Sequence, residues 1–538
     1  MPKLTIDGKE VEVPKGTRLI EAARKLGIEV AHYCYHPGLP IAGNCRMCLV
    51  EIEKNPKLQI SCHIEAADGM VVKTQSALAK QGRQNTLEFL LLNHPVDCPV
   101  CDQAGECKLQ DYYMEHGLHD PKFDDNKVRK SKKAFPIGPN VMLDTERCIL
   151  CSRCVRFTDE ITKTHEFGIF NRGDHSEVGL VPGKSLDNPY SANVVDICPV
   201  GALTDRDFRF KCRVWYLGKT PSVCTGCSRG CNIEIDYDRL RPHKKAGHDR
   251  IMRFKPRENS EVNKWWICDA GRYSYKLIDH GRLVAAKQSG IDASLDAALG
   301  EVAGLLAKAR EQGRSGRIGV LASPDMTNEE LFLVRQLFRE ELSAALAFEM
   351  AEPAGHKDDF LITADKHPNR AGAREILGTG LAKGEELLAR AARGDLDALL
   401  VFHWDIAALA GADRLAAAAR GAPLYVFATH ENRTTYAARF ALPVANFAEQ
   451  SGTFTNCQGR VQRIAKAVEP LGESRPAWKI LCEFSDALRL GWTHESAESV
   501  FAELSASVHA FAGMSWQTLG HAGATWKQGQ PQEAAAAR

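Results

Sequence analysis

The sequence predicts a multidomain protein, α+β in its first half and α/β in its second, and three observations carry that expectation. The chain has 538 residues, which at roughly 100–200 per domain implies three to five domains. Sixteen of its 18 cysteines fall within residues 1–268, and only Cys457 and Cys482 lie beyond. Past residue 275, strand-like apolar runs alternate with helical patterns, the signature of a largely parallel sheet. Composition is that of a soluble globular chain, 44% hydrophobic and 25% charged. With 69 basic against 68 acidic side chains, net charge is +1, which argues against a polybasic, nucleic-acid-binding protein. The opening MPKLTIDGKEVEVPKGT lacks the apolar core of a secretory signal, and no run of about 18 apolar residues occurs. A cytosolic chain with reduced thiols is expected, and clustered reduced cysteines point to metal ligation before disulfides. A peripheral place on a membrane complex is compatible with this.

Taken in order, KLTIDGKEVEV (3–13) alternates around Asp7-Gly8, suiting a type I′ hairpin. Thr17 is placed to cap a short helix, RLIEAARKL, whose Leu19, Ile20, Ala23 and Leu26 share a face and whose stop is Gly27. A cysteine-bearing loop and a strand LVEIE (49–53) complete an α+β module of about 75 residues. Residues 83–93 read as a helix running into His94-Pro95, and 121–140 as a polar, basic linker. In the second half, RIGVLAS (317–323), ALLVFHW (398–404) and PLYVFAT (423–429) read as strands. Helices are expected near 327–341, 384–394 and 412–420, the first starting at Thr327. Gly378, Gly380 and Gly384 before a helix hint at phosphate binding but lack the fingerprint spacing. The end, QGQPQEAAAAR, has too little apolar surface to order itself.

The cysteines fall into four groups. Cys34, Cys45, Cys48 and Cys62 put a C-x2-C pair between two flanking thiols on loops, which suits a [2Fe–2S] cluster or a structural zinc ion. Cys34-Tyr35-His36 invites a Rieske reading, but a histidine would have to stand where Cys48 does. Cys98, Cys101 and Cys107 need a fourth ligand, and His94 is the nearest candidate; a [4Fe–4S] cluster or a Cys3His zinc site both fit. Cys148, Cys151 and Cys154 followed by Cys198-Pro199 is the bacterial ferredoxin arrangement. A second cluster in that module would need cysteines near positions held by Thr158, Asn188, Ser191 and Val194, so one [4Fe–4S] site is expected. Cys224, Cys227, Cys231 and distant Cys268 again suit [4Fe–4S], with zinc the alternative. Cys212, Cys457 and Cys482 read as unligated thiols. Several redox centres in series would make a conductor for single electrons, with the protein setting spacing and excluding water.

GNCRMCLVEIE, NHPVDCPVCDQAGECKLQD, ERCILCSRCVRF and DICPVGALTD, in that order, resemble the large iron–sulfur subunit of respiratory complex I, the 75-kDa family of NADH:quinone oxidoreductase. TGCSRGCNIEID and RFKPRENSEVNKWWICDAGRYSY resemble the members that keep an extra cluster. ASPDMTNEE, NRAGA and SGTFTNCQGRVQ resemble the molybdopterin-oxidoreductase domain that this family carries without its cofactor, here abbreviated. The resemblance implies a β-grasp [2Fe–2S] ferredoxin domain (1–78), a His/Cys3 [4Fe–4S] domain (79–120) and a ferredoxin-like [4Fe–4S] domain (121–216). A molybdopterin-oxidoreductase-type [4Fe–4S] domain (217–275), an α/β domain (276–515) and a disordered tail (516–538) follow. It implies one [2Fe–2S] and three [4Fe–4S] clusters, with no molybdopterin, FMN or NADH on this chain and no bond-making active site. Electrons would come from a flavoprotein subunit, beside a small [2Fe–2S] subunit, to the Cys34 set, then the Cys148 set, then the His94 set. They would leave to a two-cluster ferredoxin-like subunit on the way to quinone, with the Cys224 set off that path. The implied location is peripheral, on the cytoplasmic side of the bacterial inner membrane, reaching membrane only through the complex and binding no nucleic acid. An NAD-linked formate dehydrogenase or hydrogenase chain shares the cluster array. Its active site would need cysteines after Cys268, where Cys457 is followed by Gln458 and Cys482 by Glu483.

Overall fold

The computed structural model describes residues 1–120, 126–130, 132–240 and 249–526. They form two compact units, Met1–Tyr216 and the remainder from Leu217. In the first unit, Lys3–Ile6 and Lys9–Glu12 pair antiparallel through a turn in which Asp7 and Gly8 both have positive φ, 47° and 80°. That is the type I′ geometry, matched to strand twist. Lys3–Ile6 pairs on its other edge, in parallel, with Val71–Lys73, and Leu49–Ile52 and Gln59–Ile60 extend the sheet to five strands. The helix Leu19–Lys25 lays Leu19, Ile20, Ala22 and Ala23 against Leu4, Ile6, Val50 and Val72 of that sheet. It is capped by Arg18, not by Thr17 as expected: the Arg18 amide donates to the Glu21 carboxylate at 3.2 Å, while the Thr17 hydroxyl donates back to the Pro14 carbonyl at 2.8 Å. Gly27 ends it with φ 74°, as expected.

The helix expected at 83–93 is longer, Ala77–Asn93, because Ser76 accepts a hydrogen bond from the Ala79 amide and starts it a turn and a half earlier. His94 closes it in extended backbone, the conformation that the following Pro95 imposes. Within the stretch expected as a linker, Ala134–Pro136 is a strand, paired with Val141–Asp144, which pairs in turn with Leu203–Asp205. Its neighbours 121–125 and 131 lie outside the described residues.

The second unit opens on a three-stranded antiparallel sheet, Leu217–Val223, Asn232–Asp238 and Ile251–Pro256. A seven-stranded sheet follows in the order Ile291–Asp292, Lys287–Gln288, Phe440–Pro443, Leu424–Ala428, Ala398–Phe402, Ile318–Ala322, Ala345–Ala347. The last five run parallel, and the two short strands at the far edge are antiparallel. Alternate residues of the central strands enter two separate cores: Val320, Leu400, Phe402 and Phe427 on one face, Leu321, Leu399, Val401 and Val426 on the other. The helices Leu295–Glu311, Asn328–Val334, Ala477–Ala487 and Ala497–Ser507 cover the first face, and Gly384–Ala392 and Ala412–Gly421 the second. Both faces are covered, which is why these strands are continuous apolar runs. Thr327 caps its helix in a reciprocal box with Glu330. Gly378 and Gly380, with φ of 76° and 77°, end the helix Arg370–Leu377. Gly384 lets the next helix pass close to Met350, so these glycines serve turn and packing.

Residues 516–526, expected in the tail, are ordered. Trp516–Leu519 is a helix, and Ala524–Thr525 pairs with Arg460–Ile464. Leu519 and the rings of Trp516 and Trp526 join the main core, and that apolar burial orders the segment. Residues 527–538 lie outside the described residues.

Candidate metal centres

The first cysteine group sits where the five-stranded module exposes its loops. Cys45 and Cys48 flank a turn in which Arg46 takes φ 57°, and the Ser61 amide donates to the Cys48 carbonyl at 3.0 Å, bringing Cys62 alongside. The Cys34 amide donates to Cys45 Sγ at 3.4 Å. The thiols touch in sequence: Cys34 hydrogen-bonds Cys45 and Cys62, and Cys62 hydrogen-bonds Cys48. Donation from Cys62 holds Cys48 down to about 7, while Cys62 itself is pushed well up by its two thiol neighbours. Four thiols this close cannot all ionise without a cation among them.

The second group gathers where the helix Ala77–Asn93 ends. His94, Cys98 and Cys107 line one cavity of about 880 Å³, and Cys101 interacts electrostatically with Cys98 and Cys107. Burial pushes His94 down to about 4, so its imidazole is neutral, and its buried Nδ1 has no hydrogen-bond partner. A neutral ring with an idle buried nitrogen is what a metal-ligating histidine presents. Asp97, between His94 and Cys98, is gripped by Arg147 through Nη2 at 2.7 Å and Nε at 3.2 Å, which fixes the loop.

The third group surrounds a small enclosed cavity lined by Cys148, Cys151, Cys154 and Cys198. Leu150 and Ser152, at φ 55° and 58°, wind the chain around it, and the Leu150 amide donates to Cys148 Sγ at 3.4 Å. Burial raises the Cys148 and Cys198 thiols to about 12. Gly201 lies against Cys101 of the second group, where a Cβ would run into the sulfur, and the Lys108 amide donates to Pro199 O at 2.9 Å. The second and third groups are thus neighbours.

The fourth group belongs to the second unit. Cys224, Cys227 and Cys231 lie in the turn between the strands Leu217–Val223 and Asn232–Asp238, and Cys268 caps the short helix Asp269–Tyr273. The four interact electrostatically, and burial raises Cys224 to about 12. Gly271 keeps space open between Cys224 and Cys268: a Cβ there would stand 2.9 Å and 3.3 Å from their sulfurs.

All sixteen expected ligands therefore fall into four local sets, and the residues present suit multi-iron groups. Sequence reading missed the arginines that tie the sets together. Arg156 donates to the carbonyls of Cys34 at 2.5 Å and Cys151 at 3.2 Å, and Arg153 to those of Tyr35 and, at 2.9 Å, Ile197. Asn44 Nδ2 adds a bond to Leu150 O at 3.2 Å. The signal available was two arginines within two residues of the cysteines in CSRCVRF, charges with no acidic residue among them. Cys34, Cys107 and Cys151, one from each of the first three sets, are buried in a single apolar cluster with Tyr33, Met47, Leu87, Tyr112 and Val200.

Family comparisons agree with this layout. The chain matches a 2Fe-2S iron-sulfur cluster binding domain at 2–77 and the NADH-ubiquinone oxidoreductase-G iron-sulfur binding region at 83–122. The ferredoxin-like domain of NADH-quinone oxidoreductase subunit 3 matches at 138–204, a molybdopterin oxidoreductase Fe4S4 domain at 217–280 and molybdopterin oxidoreductase at 383–487. The NADH-quinone oxidoreductase G subunit of Rickettsia bellii is 40% identical over 63% of this chain and 48% of its own length. The mitochondrial NADH-ubiquinone oxidoreductase 78 kDa subunit of Neurospora crassa is 40% identical over 66% of this chain and 46% of its own. A chain from the crystal structure of NAD+-reducing [NiFe]-hydrogenase in the H2-reduced state is 30% identical, covering 40% of this chain and 91% of that one, with a TM-score of 0.36. The chain spans about half the length of the curated relatives it matches. Among the described residues no helix is long and apolar enough to cross a membrane. The chain is a homologue of the NADH-quinone oxidoreductase G subunit and of the mitochondrial 78 kDa subunit, carrying iron–sulfur domains followed by a molybdopterin oxidoreductase domain.

Proposed function

We propose that this chain is an electron-transfer subunit of an NADH:quinone oxidoreductase, standing between a flavoprotein partner that oxidises NADH and the subunits that reduce quinone. Cys34, Cys45, Cys48 and Cys62 would hold a [2Fe–2S] group. His94, Cys98, Cys101 and Cys107, then Cys148, Cys151, Cys154 and Cys198, and last Cys224, Cys227, Cys231 and Cys268, would each hold a [4Fe–4S] group. Such groups supply reversible one-electron redox states when bound. The observation that carries the reading is the apolar cluster shared by the first three cysteine sets. Centres wrapped in one water-excluding core, with their loops cross-linked by arginine, are held at fixed separation, which a carrier of single electrons requires. Independent zinc staples need no shared core. The fourth set lies in the second unit, and we assign it a structural or off-path role.

The partners in this reading are a flavoprotein subunit, a small [2Fe–2S] subunit and a two-cluster ferredoxin-like subunit in the peripheral arm; that the relatives are named as subunits supports an assembly of this kind. The chain would be held on the cytoplasmic side of a bacterial inner membrane through that assembly.

Metal analysis of the purified chain should find about fourteen iron atoms and no molybdenum. Zinc in place of iron would sink the proposal. In the assembled complex, Cys151→Ala should abolish NADH-to-quinone electron flow, whereas Cys227→Ala should impair assembly or stability and leave turnover intact in the complexes that form. A turnover defect in fully assembled Cys227→Ala complex would overturn the off-path assignment.

A further inference from the structure

Several buried arginines in this protein grip carboxylates. Arg147 is 4% exposed and pairs with Asp97, and Arg250 and Arg282, 2% and 6% exposed, both hold Glu449. Arg153 differs: it is 8% exposed, yet among the described residues no carboxylate lies within ion-pair distance of it. Its two Nη atoms donate only to the backbone, one to Ile197 O beside Cys198 and the other to Tyr35 O beside Cys34, and its Nε has no acceptor. The side chain lines the cavity of Cys148, Cys151, Cys154 and Cys198. The ionisable groups that act on it most strongly are Cys151, Cys198, Cys45 and Cys34, two from each set. An isolated buried guanidinium is costly unless negative charge stands nearby, and among the described residues that charge stands in the thiolate sets on its two sides.

We propose that Arg153 is the shared counter-charge of two neighbouring iron–sulfur centres, held between the Cys34/Cys45/Cys48/Cys62 and Cys148/Cys151/Cys154/Cys198 sets and raising the reduction potential of both. The inference rests on the cluster reading above. Reduction adds one negative charge to a centre, and a fixed positive charge beside it stabilises the reduced form, the more so in an apolar surround. Because one side chain serves both sets, it moves the two potentials in the same direction and leaves the step between them nearly unchanged. It is a positioning and tuning residue, and it takes no part in bond chemistry.

The test is a redox titration of the full, iron-loaded chain followed by EPR, which separates the [2Fe–2S] signal from the [4Fe–4S] signals. Arg153→Met, which removes the charge and keeps the bulk, should weaken reduction of both centres about tenfold, a fall of about 59 mV in each one-electron midpoint. Arg153→Lys, which keeps the charge without the forked hydrogen bonds, should return both midpoints close to the starting values. Unshifted midpoints in Arg153→Met, or a shift in one centre alone, would overturn the proposal. Equal loss of iron from both variants would also overturn it, making Arg153 a structural clamp. If the unaltered chain shows no iron–sulfur signal, the cluster reading itself fails, a result distinct from signals that are present and unmoved.

Discussion

The two units hold themselves together by opposite means. In the second unit the strands Ile318–Ala322, Ala398–Phe402 and Leu424–Ala428 are buried along their whole length, and Phe402 stacks on Phe427 with ring centroids 4.3 Å apart. Its helices seal both faces, so its stability comes from apolar area removed from water. In the first unit no described strand exceeds four residues, and the chain spends much of its length in loops around sulfur. Arg46, Leu150 and Ser152 stand there with positive φ, a conformation non-glycine residues avoid without compensation. Thiols and the guanidinium groups of Arg83, Arg147 and Arg153 stand buried among its apolar side chains. The lesson is that the first unit is built around its cysteine sets, whereas in the second only the turn of Cys224, Cys227 and Cys231 is, and the seven-stranded sheet packs as polypeptide alone.

The sharpest way to break this contrast is to withdraw the iron. Chelation under reducing conditions should open residues 1–216 to limited proteolysis and leave a resistant fragment that contains the seven-stranded sheet, from about Lys287 onward, read by mass spectrometry. Equal resistance of both units would refute the contrast. Next in size, Phe402→Ala removes half of the stacked pair from a covered sheet. It should cost about 3–5 kcal/mol in denaturant unfolding of the second unit, with iron content of the first unit unchanged. The smallest expected effect concerns His367. Burial alone would lower it, but hydrogen bonds of 2.8 Å each to Asp325 and Glu352 raise it to about 9. Glu352 is also bound by Arg370 at 2.8 Å. Because the folded value lies above the unfolded one, the stabilisation is fully present below about pH 6.5 and is lost as pH rises through about 9. It amounts to about 3 kcal/mol at most. His367→Gln should flatten that part of the stability profile, and a profile unchanged by the substitution would count against the assignment.

Local rules made much of this legible. The Asp7-Gly8 turn, the Thr327 cap and the three central strands all follow from period and turn chemistry within a few residues. That the cysteines would gather in local groups was legible as well, since loops of two to five residues between them restrict where the thiols can go. What stayed hidden depends on contacts distant in sequence. Arg153 reaches Tyr35 across 118 residues, and nothing in the spacing of CSRCVRF says where its side chain goes. Residues 516–526 look too polar to order until Arg460–Ile464 offers an edge and Leu519 a core. The capping of the first helix turned on a local competition, in which the Pro14 carbonyl took the Thr17 hydroxyl and left Arg18 at the helix start.

The latch that Arg156 places on the Cys34 carbonyl spans 122 residues, and on the ribosome that span becomes an interval of time. All four cysteines of the first set have been synthesised once Cys62 appears, whereas Arg156 follows roughly 5 to 20 seconds later at ordinary elongation rates. The nascent loop around Cys34 is therefore open to a delivery chaperone before its fastener exists. Translation thus completes the proposed ligand set before the side chain that latches it.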